Sequence, residues 1–423
     1  MNTQLRYFLA TSILFFMFVS LCLSQNKVGN YIVLSGEVVG QDTKKPLTKA
    51  SVTLKNTNIA TMTNDDGHFQ IRIPEKNAGT NLIIKYLGYE NKEIAISSLI
   101  KNENNTIVLR SSSILLNGIE ILSGNGADFI EKAIRNIPKN YSKDPNMMVA
   151  FYRETITKNN NYISLVEAVV DVYKSSYSSS SDDLARIYIG RKATDIGRKD
   201  TLLLKFQGGI STSLMVDVAK NPQIIFGERG EEYNFRIQGL IYVNDKPNYI
   251  ISFDPKYASD DLTFRGTIYL DKQTLAFNRI EFNTNVENNP DAASRFIRRK
   301  PAKMKATMLN VSYFIDYIEK EGKWYFNYSK TDVGFKIRWT NRFFGLISTT
   351  YHVTSELAIT DRYTDDVVKF PRDERIKSTD IIAEKVENFQ DPEFWGEYNV
   401  IAPDVDINKA IQRMSSKLKK REK

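Results

Sequence analysis

Short runs in which apolar and polar residues alternate recur along the first part of the chain, at 31–39, 51–54, 68–73, 82–86, 93–96, 106–109 and 119–122. Successive side chains of a strand point to opposite faces, so a period of two predicts strands, and short strands at this spacing predict an all-β sandwich. The turn formers Asp42-Thr43-Lys44-Lys45-Pro46 and Asn64-Asp65-Asp66-Gly67 fall where hairpins need them. Between Ser111 and Gly126 the composition shifts to Ser, Asn and Gly, which predicts a linker. Phe129, Ile130, Ala133, Ile134 and Ile137 then share one face of a helix that Asp128 can cap and Pro138 ends.

From Met147 the alternation returns in longer, aromatic-rich runs. Phe235 and Ile237, then Tyr249, Ile251 and Phe253, then Ile268 and Leu270, then Leu309, Val311, Tyr313, Ile315 and Tyr317 keep a period of two. Glu321-Gly322 turns the last run into Trp324, Phe326 and Tyr328. Long antiparallel hairpins with one early helix predict a strongly curved sheet. From Asp404, Ile407, Ala410, Ile411, Met414 and Leu418 recur at helical spacing and lead into Lys417, Lys419, Lys420, Arg421 and Lys423. That is an amphipathic, basic C-terminal helix, expected to pack on its own domain.

The expected fold is therefore mainly β. An N-terminal Greek-key β-sandwich (31–122) precedes an α+β domain with a curved antiparallel sheet (127–403) and the terminal helix (404–423).

Gly36-Glu37-Val38-Val39, Lys45-Pro46-Leu47, Ala50-Ser51-Val52-Thr53-Leu54, Thr63-Asn64-Asp65-Asp66-Gly67-His68-Phe69 and Leu87-Gly88-Tyr89 occur in an order that resembles the carboxypeptidase-regulatory-like domain. The resemblance implies a transthyretin-like sandwich of the kind carried at the N-termini of Gram-negative outer-membrane proteins. In the second part, Asn136-Ile137-Pro138-Lys139-Asn140-Tyr141, Phe151-Tyr152-Arg153-Glu154, Glu167-Ala168-Val169-Val170, Gly208-Gly209 and Gly266-Thr267-Ile268-Tyr269-Leu270-Asp271 resemble an uncharacterised outer-membrane-associated family with the same N-terminal sandwich. Longer members of that family continue into a membrane β-barrel, a continuation this sequence does not show. The stretch 266–282 is also similar to the hairpins of lipoprotein-carrier half-barrels, a likeness of fold that transfers no activity.

Residues 1–24 read as a secretory signal peptide, with Arg6 as the positive charge, an apolar stretch broken by Thr11, Ser12 and Ser20, and cleavage between Ser24 and Gln25. Cys22 follows bulky Leu21, a poor fit to a lipoprotein anchor. Loss of the leader takes the net charge from +8 to +7, because Arg6 is its one charged side chain. An exported protein of this mild basicity is expected at the periplasm or the periplasmic face of the outer membrane. Its expected partners are an envelope protein or a lipid or glycan ligand, and not nucleic acid.

Candidate chemistry is sparse. The chain has two histidines, His68 and His352, and its single cysteine lies in the leader. Neither histidine opens the H-x-x-E spacing of zinc carboxypeptidases, and no G-x-S-x-G elbow presents a serine nucleophile. Asn64-Asp65-Asp66 lacks the distant glutamate of a calcium loop, and Gly124-Asn125-Gly126 lacks the third glycine of a dinucleotide loop. No catalytic, metal or cofactor site is therefore expected, and the expected role is non-enzymatic binding or scaffolding. Paired carboxylates acting on envelope or dietary glycans stay open as an alternative, as does a purely structural envelope role. The basic run Arg295, Arg298, Arg299, Lys300, Lys303 and Lys305, set in a break between strands, is the candidate anionic-surface contact, against a solvated loop as its ordinary reading. The 22 tyrosines and 23 phenylalanines, concentrated in the second part, read individually as core and cross-strand pairs, and as a group leave open a groove inside the curved sheet for a sugar or lipid.

Overall fold

The computed structural model describes residues 30–101, 103–112, 125–194, 205–206, 209–227, 232–243, 246–257, 262–286, 289, 292–299, 304–339, 348–388 and 394–421. The Ser24 and Gln25 cleavage site and most of the linker lie outside them.

Six of the alternating runs of the first part fold into β1 (Tyr31–Gly40), β2 (Ser51–Leu54), β4 (His68–Pro74), β5 (Asn81–Lys85), β6 (Lys92–Ala95) and β7 (Asn104–Leu109); β3 (Ala60–Met62) is an unpredicted strand, and the run at 119–122 lies outside the described residues. These strands form two sheets, ordered β4-β1-β7 and β3-β2-β5-β6, with β1 and β7 parallel. The inward positions of both, including Leu34, Val38, Val52, Phe69, Ile71, Ile84 and Ile107, close one core. Burying each such side chain is worth about 1.5–3 kcal/mol. Gly36 is required at the centre of β1, since a Cβ there would lie 2.5 Å from the Asn105 carbonyl oxygen of β7. Gly67 supplies φ 77° to the turn before β4, and Asn64 Oδ1 accepts from Asp66 N at 3.0 Å and His68 N at 2.9 Å. β3 is too short to show an alternation.

The second part opens with α1 (Gly126–Arg135) and the single turn α2 (Ile137–Asn140). Asn125, not Asp128, caps α1, because its side chain reaches Ala127 N at 3.2 Å. There follow β8 (Asn146–Lys158), β9 (Asn161–Lys174), β10 (Leu184–Thr194), β11 (Lys205–Phe206), α3 (Gly209–Met215), α4 (Gln223–Phe226), β12 (Tyr233–Val243) and β13 (Lys246–Pro255). β14 (Phe264–Asp271), β15 (Phe277–Thr284), α5 (Ala293–Phe296), β16 (Ile297–Arg299), β17 (Met304–Lys320), β18 (Lys323–Trp339), β19 (Ser348–Tyr363), β20 (Glu387–Asn388) and α6 (Val405–Arg421) complete the described chain. The expected early helix is thus joined by the short helices α3, α4 and α5.

Among the described residues the large sheet has eleven strands in the order β12-β13-β14-β15-β17-β18-β19-β8-β9-β10-β20. A single apolar cluster takes side chains from β12 at one end to β10 at the other, together with α1 to α4, so the sheet wraps around it and this face is concave. The concave face of the described residues is filled rather than open. Beneath it, Lys174 reaches Asp183 and Asp217 at 2.6 Å each, and Tyr317 donates to Asp217 at 2.8 Å.

Between β17 and β18 two irregularities break the expected period of two. A register shift between Met308 and Asn310 leaves Leu309 exposed, and one between Asp316 and Tyr317 makes Asn327 an extra residue of β18. Phe326 therefore joins the concave cluster while Tyr328 faces the other side.

Candidate functional site

Strand pairing builds a charged row across the convex face. Lys330 stands opposite Glu356, Glu356 opposite Arg153, Arg153 opposite Glu167, and Glu167 opposite Arg191, so the signs alternate over five strands. Arg153 Nη2 lies 2.8 Å from Glu167, its Nη1 lies 3.2 Å from Glu356, and Arg191 reaches Glu167 at 2.9 Å. Burial alone would lower the Arg153 pKa, but Glu167 and Glu356 outweigh it and hold the guanidinium above its ordinary range. Such a row adds little net stability. It does demand one register, because a one-residue slip would send every charge to the apolar side.

The row ends on the sandwich, where Lys330 Nζ meets Asp65 at 3.1 Å. A strap at 394–403 completes the joint. Asn399 accepts from Arg72 N at 2.7 Å and donates to Arg72 O at 3.1 Å. Thr61 donates to Val400 O at 3.1 Å, and Arg153 to Ile401 O at 2.7 Å. Met62 of the sandwich and Trp395, Val400 and Ile401 of the strap share one cluster with Phe151, Val169, Tyr328 and Ala358 of the sheet. α6 then lays Ile407, Ala410, Ile411 and Met414 on Leu165 and Ala193, which is the packing on its own domain that the periodicity predicts.

Where sandwich and sheet do not touch, they enclose a cleft of about 240 Å³. Lys49, Ser51, Lys85 and Tyr86 wall it from the sandwich, and Asn248, Asn278, Arg279, Asp316, Trp324 and Asn327 from the sheet. Arg279 holds Asp316 at 3.1 Å, with its guanidinium 4.7 Å from the Phe314 ring and 5.9 Å from that of Tyr86. Burial raises the Asp316 pKa, against the pull of Arg279 and of Asn327, whose amide bonds it at 3.2 Å. Burial lowers the pKa of Lys49, with Lys330 adding to the effect, and burial likewise lowers that of Lys85. Lys49 also borders a second cavity of about 60 Å³, lined by Asp65, Arg153, Lys330, Glu356 and Asp404.

The residues singled out by sequence lie elsewhere. The side chains of Arg295, Arg298 and Arg299, and the whole of Lys300 and Lys303, fall outside the described residues; Lys305 is exposed on β17. The backbone at 293–299 is a helical turn and a short strand paired to β11 rather than the expected plain loop. His68 is on β4 and His352 on β19, in different sheets. Lys85, Arg279 and Asp316 carry no signal in the sequence because a charge in an alternating strand ordinarily faces solvent, and Lys49 carries none because it stands in the turn before β2. Only the docked sandwich turns those outward positions into walls.

Comparison with known proteins bears on the first part most directly. Residues 34–121 match the CarboxypepD_reg-like domain family model. The resemblance of the sandwich motifs to that domain is borne out over this segment. No curated protein matches the sequence. Similar solved structures include a domain assigned to outer membrane lipoprotein sorting from Vibrio parahaemolyticus, at 11% identity over 58% of this chain and 95% of that one, with a TM-score of 0.26. A DUF1329 family protein from Desulfovibrio piger has 13% identity, 58% and 96% coverage and a TM-score of 0.25. A LolA superfamily protein from Nitrosomonas europaea has 10% identity, 60% and 99% coverage and a TM-score of 0.22.

Proposed function

We propose that this is an exported, non-enzymatic protein of the cell envelope that holds a ligand or a partner segment in the cleft between its sandwich and its sheet. The observation that carries the reading is the cleft of about 240 Å³, walled by both domains and lined by charged and amide side chains. Pockets that join two domains and converge a few polar groups are common binding sites. The sandwich acts as a positioning module, and the charged row and the strap fix it over the sheet. A polar occupant suits this seam better than an apolar ligand suits the concave face, which side chains fill among the described residues. The acids of the cleft are held by partners, Asp316 by Arg279 and Glu319 by Lys246 at 3.0 Å, which favours holding over hydrolysis.

The test is a photoreactive side chain placed at Asn91, on the cleft rim, and another at Tyr257, which is 79% exposed away from it. An adduct with a defined envelope lipid, glycan or protein is expected at 91 and not at 257. Retention of no envelope component counts against the reading. So does turnover of a polysaccharide that a single Asp or Glu substitution abolishes.

A further inference from the structure

The charges that line the seam do not cancel. Asp271 Oδ1 accepts from Gln273 N at 3.1 Å and from Thr274 N and Oγ1 at 2.7 Å each, so it is committed to the turn after β14. Asp316 is held by Arg279 and Asn327, and Glu319 by Lys246 and Gly322 N. Two cations remain. Among the described residues neither Lys49 nor Lys85 has a carboxylate within 4.0 Å, although both are partly buried against the cleft. The aromatic partner of Lys49 is Phe314, whose ring centroid lies 4.9 Å from Nζ; Lys330 and Arg279 repel its ammonium while the more distant Asp65 and Asp332 attract it, and Lys85 feels Glu319 and Lys246 in the same opposed way, so neither has an acid in direct contact.

A partly desolvated ammonium without an acid in direct contact costs free energy, and an entering oxyanion offsets that cost by forming charge-assisted hydrogen bonds. A cationic ligand would find acids already occupied, and a neutral one would leave both lysines without a direct ionic partner. The rest of the lining narrows the class further. The nitrogens of Asn278 and Asn327 are spent on Asn248 and Asp316, which leaves their amide oxygens and the hydroxyl of Ser51 to suit a ligand rich in hydroxyls, and the ring of Tyr86 gives it an apolar face to lie against.

We infer that the cleft binds an anionic saccharide, a sugar carrying a phosphate or carboxylate, with Lys49 and Lys85 as its charge partners. This rests on the cleft being the binding site. The sugar is either a soluble fragment or the headgroup of a glycolipid, and the two sources differ in the assay below.

The full mature chain is titrated calorimetrically with glucose 6-phosphate, glucuronate, glucose and inorganic phosphate, and with vesicles containing or lacking lipid A. Glucose 6-phosphate or glucuronate binds, glucose at least about tenfold more weakly; Lys49→Met and Lys85→Met each weaken binding about tenfold, in line with loss of one hydrogen bond to a charged group. Lys336→Met, on an exposed position of β18, changes nothing. Both Met variants stay folded, since each removes a charge that burial disfavours, and a thermal melt checks this. Binding of lipid A vesicles alone, lost in the double variant, assigns the glycolipid; binding of the soluble sugars assigns the fragment. Equal binding of glucose, inorganic phosphate as tight as the sugar phosphate, unchanged affinity in the double variant, or no binding of any probe overturns the inference. If Asn91 crosslinking still captures its component in the double variant, the anion assignment falls and the cleft stands. If crosslinking captures nothing in the parent, the cleft itself falls.

Discussion

Glu154 lies on the concave side of β8, half-buried, with the Tyr152 hydroxyl at 2.9 Å and apolar Val333, Phe335 and Val353 around a small recess. Desolvation raises its pKa above 4.5, against the pull of the Tyr152 hydrogen bond. A carboxyl that holds its proton more tightly when folded favours the native state most below the unfolded value, and that advantage is lost as pH rises through the folded value. Glu154→Gln should therefore gain stability relative to the parent on going from pH 4.5 to pH 8. Urea midpoints at the two pH values check this, and a pH-independent difference between variant and parent refutes it. The same strand shows what a sequence can offer at this scale. Arg153 and Glu167 stand within motifs that mark the second part and face each other across the β8–β9 hairpin, yet Glu356, which also holds Arg153, comes from β19, 203 residues further on. Asp65 and Asp66 read correctly as a turn, but their bonds to Lys330 and to Val405 N depend on how the domains dock.

Elements with a strong period were legible. Strand β2 has the predicted bounds, and β1, β4 and β5 fall within a residue of theirs, because alternation with one buried face leaves little choice of register. The C-terminal helix was legible for the same reason at its own period. The two bulges at Leu309 and Asn327 were not, since an extra residue in one strand is defined only against its partner. Least legible is the strap, which has no period at all yet carries Trp395, 4% exposed and set edge-on to Phe151 at 5.7 Å, with Arg191 4.6 Å from its ring. Trp395→Ala should cost about 3–5 kcal/mol, the usual range for emptying a large aromatic site. Because Met62 shares that cluster, limited proteolysis of the variant should cut first at the sandwich side of the joint. Cleavage confined to the far strands β12 to β14 would contradict it.

At the scale of the molecule, both faces of the large sheet are covered, the concave one by α1 to α4 and the convex one by the sandwich, the strap and α6. Sandwich and sheet should unfold as one unit. Asn399→Ala removes both bonds to the Arg72 backbone and should cost about 1–3 kcal/mol. Calorimetry is expected to show one transition in the parent and two in the variant, the earlier belonging to the sandwich. Two transitions in the parent would mean that the domains are independent.

The strap joins partners 327 and 339 residues apart in sequence, Arg72 with Asn399 and Thr61 with Val400. A ribosome delivers the early partners long before the late ones, and closing so large a loop is slow. A growing chain therefore has the sandwich but no lock to seat it, and Lys49 and Lys85 at its edge stay in water until synthesis has passed residue 401.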